Sequence, residues 1–261
     1  MCSEVRPQVR AQVRAQELNL MQKASPRPTK SGAFLPAAGL RLLETYAGVA
    51  ARGEHLLSRL LAGQAPRQWA HYPQDDAVDR ASGYQWFYHS HSPEDRPGAA
   101  EHGHIHLFAR KPLWGRRLQS GSERAFAELC GNPAAKPQTR HLLAIGFNAK
   151  GLPISLFTVN SWVTGDLMLG ANLTLELLSS MALDSGYSEV DAVIESVVRL
   201  CAPQLQALMQ RRDNALRSHP APGKLQDEAL ELLSEVRIDL DARLLALSAA
   251  SQTRHPSPVR D

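Results

Sequence analysis

Five of the ten histidines in this chain, His89, His91, His102, His104 and His106, fall in two neighbouring strings, YQWFYHSH at 84–91 and EHGHIHLFAR at 101–110. Both strings read as β-strands. Side chains alternate faces along a strand, so His102, His104 and His106 project from one side, and His89 and His91 share one side of their own strand. If the second strand returns antiparallel, a register with His91 opposite His102 and His89 opposite His104 gathers all five imidazoles into one patch. A register shifted by one residue splits them between faces. Each buried imidazole brings a donor and an acceptor that must be satisfied, and ordinary core packing has no use for so many.

The chemistry such a patch suits best is metal ligation. Neutral imidazole binds zinc, copper and iron, and alternate residues of a strand can converge on one ion. The pool of ligands is His89, His91, His102, His104, His106 and His141, with Glu101, Asp75, Asp76 and Asp79 as carboxylates. Two or three imidazoles with one carboxylate leave a coordination position open, which fits hydrolysis or oxygen chemistry on a small polar substrate. Surplus histidines then orient ligands or move protons, and His104 or Glu101 serves as acid or base. The expected cofactor is a transition metal, whether iron, zinc or copper.

A metal-free alternative uses the same residues. HGHIHLF, 102–108, resembles the signature of the histidine-triad nucleotide hydrolases and transferases, with Gly103 departing from an apolar position of that pattern. The resemblance spans about seven residues and implies His104 as the nucleophile on an α-phosphate, supported by His102 and His106. A third alternative is a non-enzymatic metal-binding or interaction protein.

Other polar and aromatic residues have plainer readings. His71, near Trp69 and Tyr72, reads as a packed histidine using its polar tip. His55, His219 and His255 read as solvated, and the Arg-Arg-Asp run at 211–213 reads as a solvated helix face. Trp86, Phe87, Tyr88, Phe108 and Trp114 read as sheet core. In NSWVTGD, Thr164 is expected to cap the next helix with Trp162 packed beneath it. No GxSxG, GxGxxG or GxxxxGK[ST] string marks a serine-hydrolase, dinucleotide or P-loop site.

A net charge of +3 is too small to argue for nucleic acid, and 43% apolar residues suffice for a core. Cys2, Cys130 and Cys201 are scattered and odd in number, which argues against a thiolate zinc site or a disulfide framework and for a reducing compartment. No apolar run suits a signal peptide or the roughly 18 residues of a membrane span. A cytoplasmic protein is expected.

The elements that must position the histidines follow from periodicity. Residues 1–35 and 251–261 read as disordered tails around one domain at 36–250. The leucine spacing over 37–61 predicts an amphipathic helix stopped by Gly63. SGSERAFAELCG predicts a short helix capped by serine, and RHLLAIGFNAKGLPISLFTVNSW predicts a β-hairpin turning at Asn148 and Gly151. After Gly165 the pattern is helical, with a start at Ser188, a break at Pro203 and a last helix over KLQDEALELLSEVRIDLDARLLALSAA. The fold class is α+β, a central and mostly antiparallel sheet of about four strands flanked by N- and C-terminal helices.

The strings HYPQDDAVD, YQWFYHSH, EHGHIHLFARK, GLPISLFTVNSWVTGD and RLCAPQLQALMQRRD resemble an uncharacterised family of bacterial proteins, a domain of unknown function, over about residues 40–215. The resemblance implies one domain and a bacterial, cytosolic origin, and it brings no activity, cofactor or catalytic residue.

Overall fold

The computed structural model describes residues 34–64, 66–67, 70–91, 100–134, 137–219 and 223–254. The expected tails fall almost wholly outside the described residues, as does Trp69, although the last helix runs on to Arg254.

A seven-stranded sheet organises the rest. Its strands are β1 (Tyr72–Val78), β2 (Tyr84–Ser90), β3 (Gly103–Arg110), β4 (Thr139–Phe147), β5 (Pro153–Val159), β6 (Leu167–Met168) and β7 (Leu232–Arg237). The order is β1-β2-β3-β4-β5-β7, antiparallel at every step, with the two-residue β6 joined in parallel to β4.

The sheet therefore exceeds the expected four strands, and the reasons are local. Pro73, Asp75 and Asp76 look like a turn, yet β1 is an edge strand, where a proline removes no essential ladder bond. Asp76, at φ +54°, sits within the irregular pairing between Tyr72 and Ala77. LLSEVR has helical composition but forms β7, because Leu233 is buried and Ser234 meets Thr158 of β5, with their hydroxyls 2.8 Å apart. Tertiary pairing overrides a weak local preference here.

The helices are α1 (Phe34–Ala51), α2 (Ser58–Leu61), α3 (Lys111–Trp114), α4 (Gly121–Leu129), α5 (Ser161–Thr164), α6 (Ala171–Ser179), α7 (Ser188–Leu200), α8 (Ala202–Ser218) and α9 (Leu240–Arg254). The helix expected over 37–61 breaks after Ala51, where Gly53 at φ +68° turns the chain. Pro203 separates α7 from α8 by occupying the first turn of α8, where a missing N–H costs nothing. No described helix is long and apolar enough to cross a membrane.

One face of the sheet carries the main core. Trp86, Tyr88, Ile105, Leu107, Leu143, Ile145, Phe147 and Leu156 pack with Val193, Ile194, Val197, Leu205 and Leu208 of α7 and α8. Arg212 belongs to this interior and not to a solvated face. It is 1% exposed, donates to the Leu169 carbonyl and pairs with Asp213. The start of α6 is also held from a distance, since the Glu123 carboxylate accepts the Gly170 N–H, while Thr164 accepts from Asp166 N instead.

Candidate metal centre

On the opposite face, β2 and β3 pair Phe87 with His106 and His89 with His104. The His91 N–H donates to the His102 carbonyl at 3.2 Å, continuing that register. It is the register that gathers the imidazoles. Ring centroids lie 4.2 Å apart for His89 and His104, 4.5 Å for His104 and His106, and 5.1 Å for His89 and His91. His102 shares the parity but is exposed just before β3 begins, outside this packed group.

His141 arrives by a different device. Gly103 through Leu107 pair with Phe147 through Leu143, after which Phe108 faces His141 and Leu142 is skipped. This bulge shifts the parity of β4 by one residue. Leu142 joins the helix-side core, and His141 turns to the histidine face, its Nε2 3.0 Å from His106 Nδ1.

A glycine makes room for the carboxylate. Gly146 lies between His104 and Ser155 in the sheet, and a Cβ there would stand 2.4 Å from Glu101 Oε2 and 2.3 Å from Ser155 Oγ. Glu101 occupies that slot. Its Oε1 lies 2.8 Å from His104 Nδ1, and its Oε2 accepts from the Ser155 hydroxyl at 3.3 Å.

The result is a continuous polar chain. From Glu101 it passes through His104, whose Nε2 is 2.9 Å from His106 Nε2, to His106 and His141. His104, His106 and His141 are almost fully buried. Burial drives the His106 pKa well below its ordinary value, with further depression from His141 and the other rings. Burial, then Arg212, lowers His141 to about 3. Both rings are therefore neutral at physiological pH, the form in which imidazole ligates or relays a proton.

The patch floors a cavity of about 300 Å3 lined by the four rings His89, His91, His104 and His106, with Phe87, Phe108, Phe157 and Val159 as apolar wall and Asp76, Asp166 and Glu231 as acids. No lysine or arginine lines it among the described residues. His71, expected to be packed, is exposed; one face of its ring stacks on Phe87 at 3.7 Å, and it lines the cavity and bonds Asp76 at 3.0 Å. Of the carboxylates in the original pool, Asp75 is exposed, and Asp79 is held in the β1–β2 turn by Ala81, Ser82 and Asp184. Ser155, Gly146 and Phe157 carried no signal beyond membership of a hairpin.

Ligand atoms of His89, His91 and His104 all lie within 4.8 Å of one another, a grouping that could hold a metal ion. His91 Nε2 and His104 Nδ1 are 3.3 Å apart, close to the separation of about 3.4 Å between two donors on a tetrahedral ion. The histidine-triad carry-over fares differently. His106 does touch His104, but His102 is exposed, and the cavity offers acids where a phosphate needs cations.

No curated protein and no solved structure matches the chain. A family described as a domain of unknown function (DUF6969) matches residues 36–238, a span that contains the sheet, the cavity and every residue of the histidine cluster, and the chain belongs to that family.

Proposed function

We propose that the cavity is the site of a metalloenzyme that binds a transition metal and acts on a small polar molecule. The observation that carries this reading is the convergence of His89, His91 and His104 beside the Glu101 carboxylate on the floor of an open cavity. His89, His91 and His104 bring ligand atoms within 4.8 Å of one another, and Glu101 Oε1 lies 2.8 Å from His104 Nδ1, so the cluster offers the mixed imidazole and carboxylate donors used by non-haem iron and catalytic zinc centres. The metal would supply Lewis-acid or oxygen chemistry there.

The protein's own groups do the rest. With Nδ1 as the donor, His104 keeps its proton on Nε2 and gives it to His106 Nε2, and His106 Nδ1–H donates in turn to His141. Metal-bound imidazoles are oriented in this way by a partner on the second nitrogen. Asp76, Asp166 and Glu231 around the cavity favour a neutral or cationic substrate over a phosphate.

Elemental analysis of untagged protein tests the reading, with wild type set against His104→Ala and a His89→Ala/His91→Ala double variant. Near-stoichiometric iron, zinc or copper in wild type, lost from both variants, is expected. Wild type that stays empty after loading with each ion overturns it. Metal that binds tightly yet leaves no position open to azide or cyanide identifies a binding protein and not an enzyme.

A further inference from the structure

We infer that a second cavity, on the helix-covered side of β4, binds a carboxylate monoanion with an apolar body, received by Arg140. The cavity measures about 600 Å3, and Trp114, Leu118, Phe126, Leu167, Met168 and Leu225 form its apolar wall. Arg140 lines it next to them.

Arg140 is the residue that calls for a ligand. It is 7% exposed, and its Nη1 is buried with no hydrogen-bond partner. An unmatched guanidinium donor away from water costs stability unless an acceptor completes it. The neighbouring acids are committed elsewhere, Glu123 to the Gly170 N–H and Asp166 to the Thr139 hydroxyl. Trp114 holds the side chain in place without satisfying it. The guanidinium carbon lies 4.3 Å from the centroid of the indole, whose own N–H is fixed on the Ala109 carbonyl at 2.9 Å.

Ligand class follows from charge and wall. A rigid guanidinium pairs with a carboxylate through two parallel hydrogen bonds. Lys111 and Arg124, both exposed, draw an anion to the cavity, while Glu123, buried with Arg140, opposes a second negative charge at depth, which favours a monoanion over a phosphate dianion. The six apolar residues take the body of the ligand. This site is separate from the histidine cavity, because Arg140 and His141 point to opposite faces of β4.

Octanoate and 1-octanol are matched probes, read by calorimetry and by fluorescence of Trp114. Octanoate is expected to bind at least ~10-fold more tightly than the alcohol. Arg140→Met should erase that preference while circular dichroism stays unchanged. Leu118→Trp, which fills the cavity and leaves Arg140 intact, should block both probes and keeps the test decisive if Arg140→Met fails to fold. Equal binding of acid and alcohol, tighter binding of octyl phosphate than of octanoate, or no binding of octanoate and phenylacetate at millimolar concentration would each overturn the inference.

Discussion

On the helix-covered face of β3, Ile105, Leu107 and Ala109 are fully buried among aromatic and aliphatic neighbours, and on the other face of the same strand His104, His106 and Phe108 are nearly as buried. Burial is equal, yet what maintains it differs. The first face is held by shape and apolar area, so a side chain there can be exchanged for another of like volume. The second is held by a chain of hydrogen bonds from Glu101 to His141, in which each nitrogen depends on its neighbour. Removing a member leaves a buried polar atom without its partner.

The sharpest separation of the two faces comes from adjacent parities of β3. Leu107→Ala should cost ~2–5 kcal/mol in urea unfolding and leave bound metal unchanged. His104→Gln should cost less, ~1–3 kcal/mol, and abolish metal binding. If a folded Leu107→Ala protein loses its metal, the two faces are not independent. Gly146→Ala ranks next. The new Cβ displaces Glu101 or Ser155, so a loss of ~1–3 kcal/mol and at least ~10-fold in metal affinity is expected from unfolding and metal-competition titrations. Adding Ser155→Ala removes one of the two clashes and should restore part of both losses.

The smallest effect is a pH dependence confined to the histidine face. Burial, with Arg212, holds His141 at about 3 in the folded protein against an ordinary 6.5. Between those values the unfolded chain binds a proton that the folded one refuses. Stability is thus complete above the unfolded value and declines as pH falls, with a limiting slope of ~1.4 kcal/mol per pH unit. His141→Asn should flatten the decline in urea unfolding between pH 7 and 4.5, and an unaltered slope would assign it to other groups.

The sequence made the histidine patch legible because strand parity and a single register determine it, and His89 opposite His104 is what β2 and β3 adopt. Glu101 was legible as a nearby carboxylate, but its seat was not, since the seat depends on the missing Cβ of Gly146 from a distant strand. β1 and β7 were obscured for the same kind of reason. Edge strands tolerate proline, acids and helix-forming residues, so their composition carries little of the strand signal. Arg212 was hidden by its charged neighbours, and only the three-dimensional packing shows that it faces the Leu169 carbonyl. The break after Ala51 had its marker in Gly53, which the leucine pattern on either side overrode.

The skipped residue at Leu142 decides which of two neighbours serves which cavity. With it, His141 completes the histidine chain and Arg140 faces the apolar chamber. A regular ladder that kept Leu142 would exchange them: Leu142 would oppose Phe108, placing the His141 imidazole among apolar side chains and the Arg140 guanidinium among imidazoles. The bulge, and not the length of β4, is therefore the functional quantity: deleting Leu142 should keep His141 opposite Phe108 at the cost of one buried leucine, whereas pairing Leu142 into the ladder should strip both cavities of their residue.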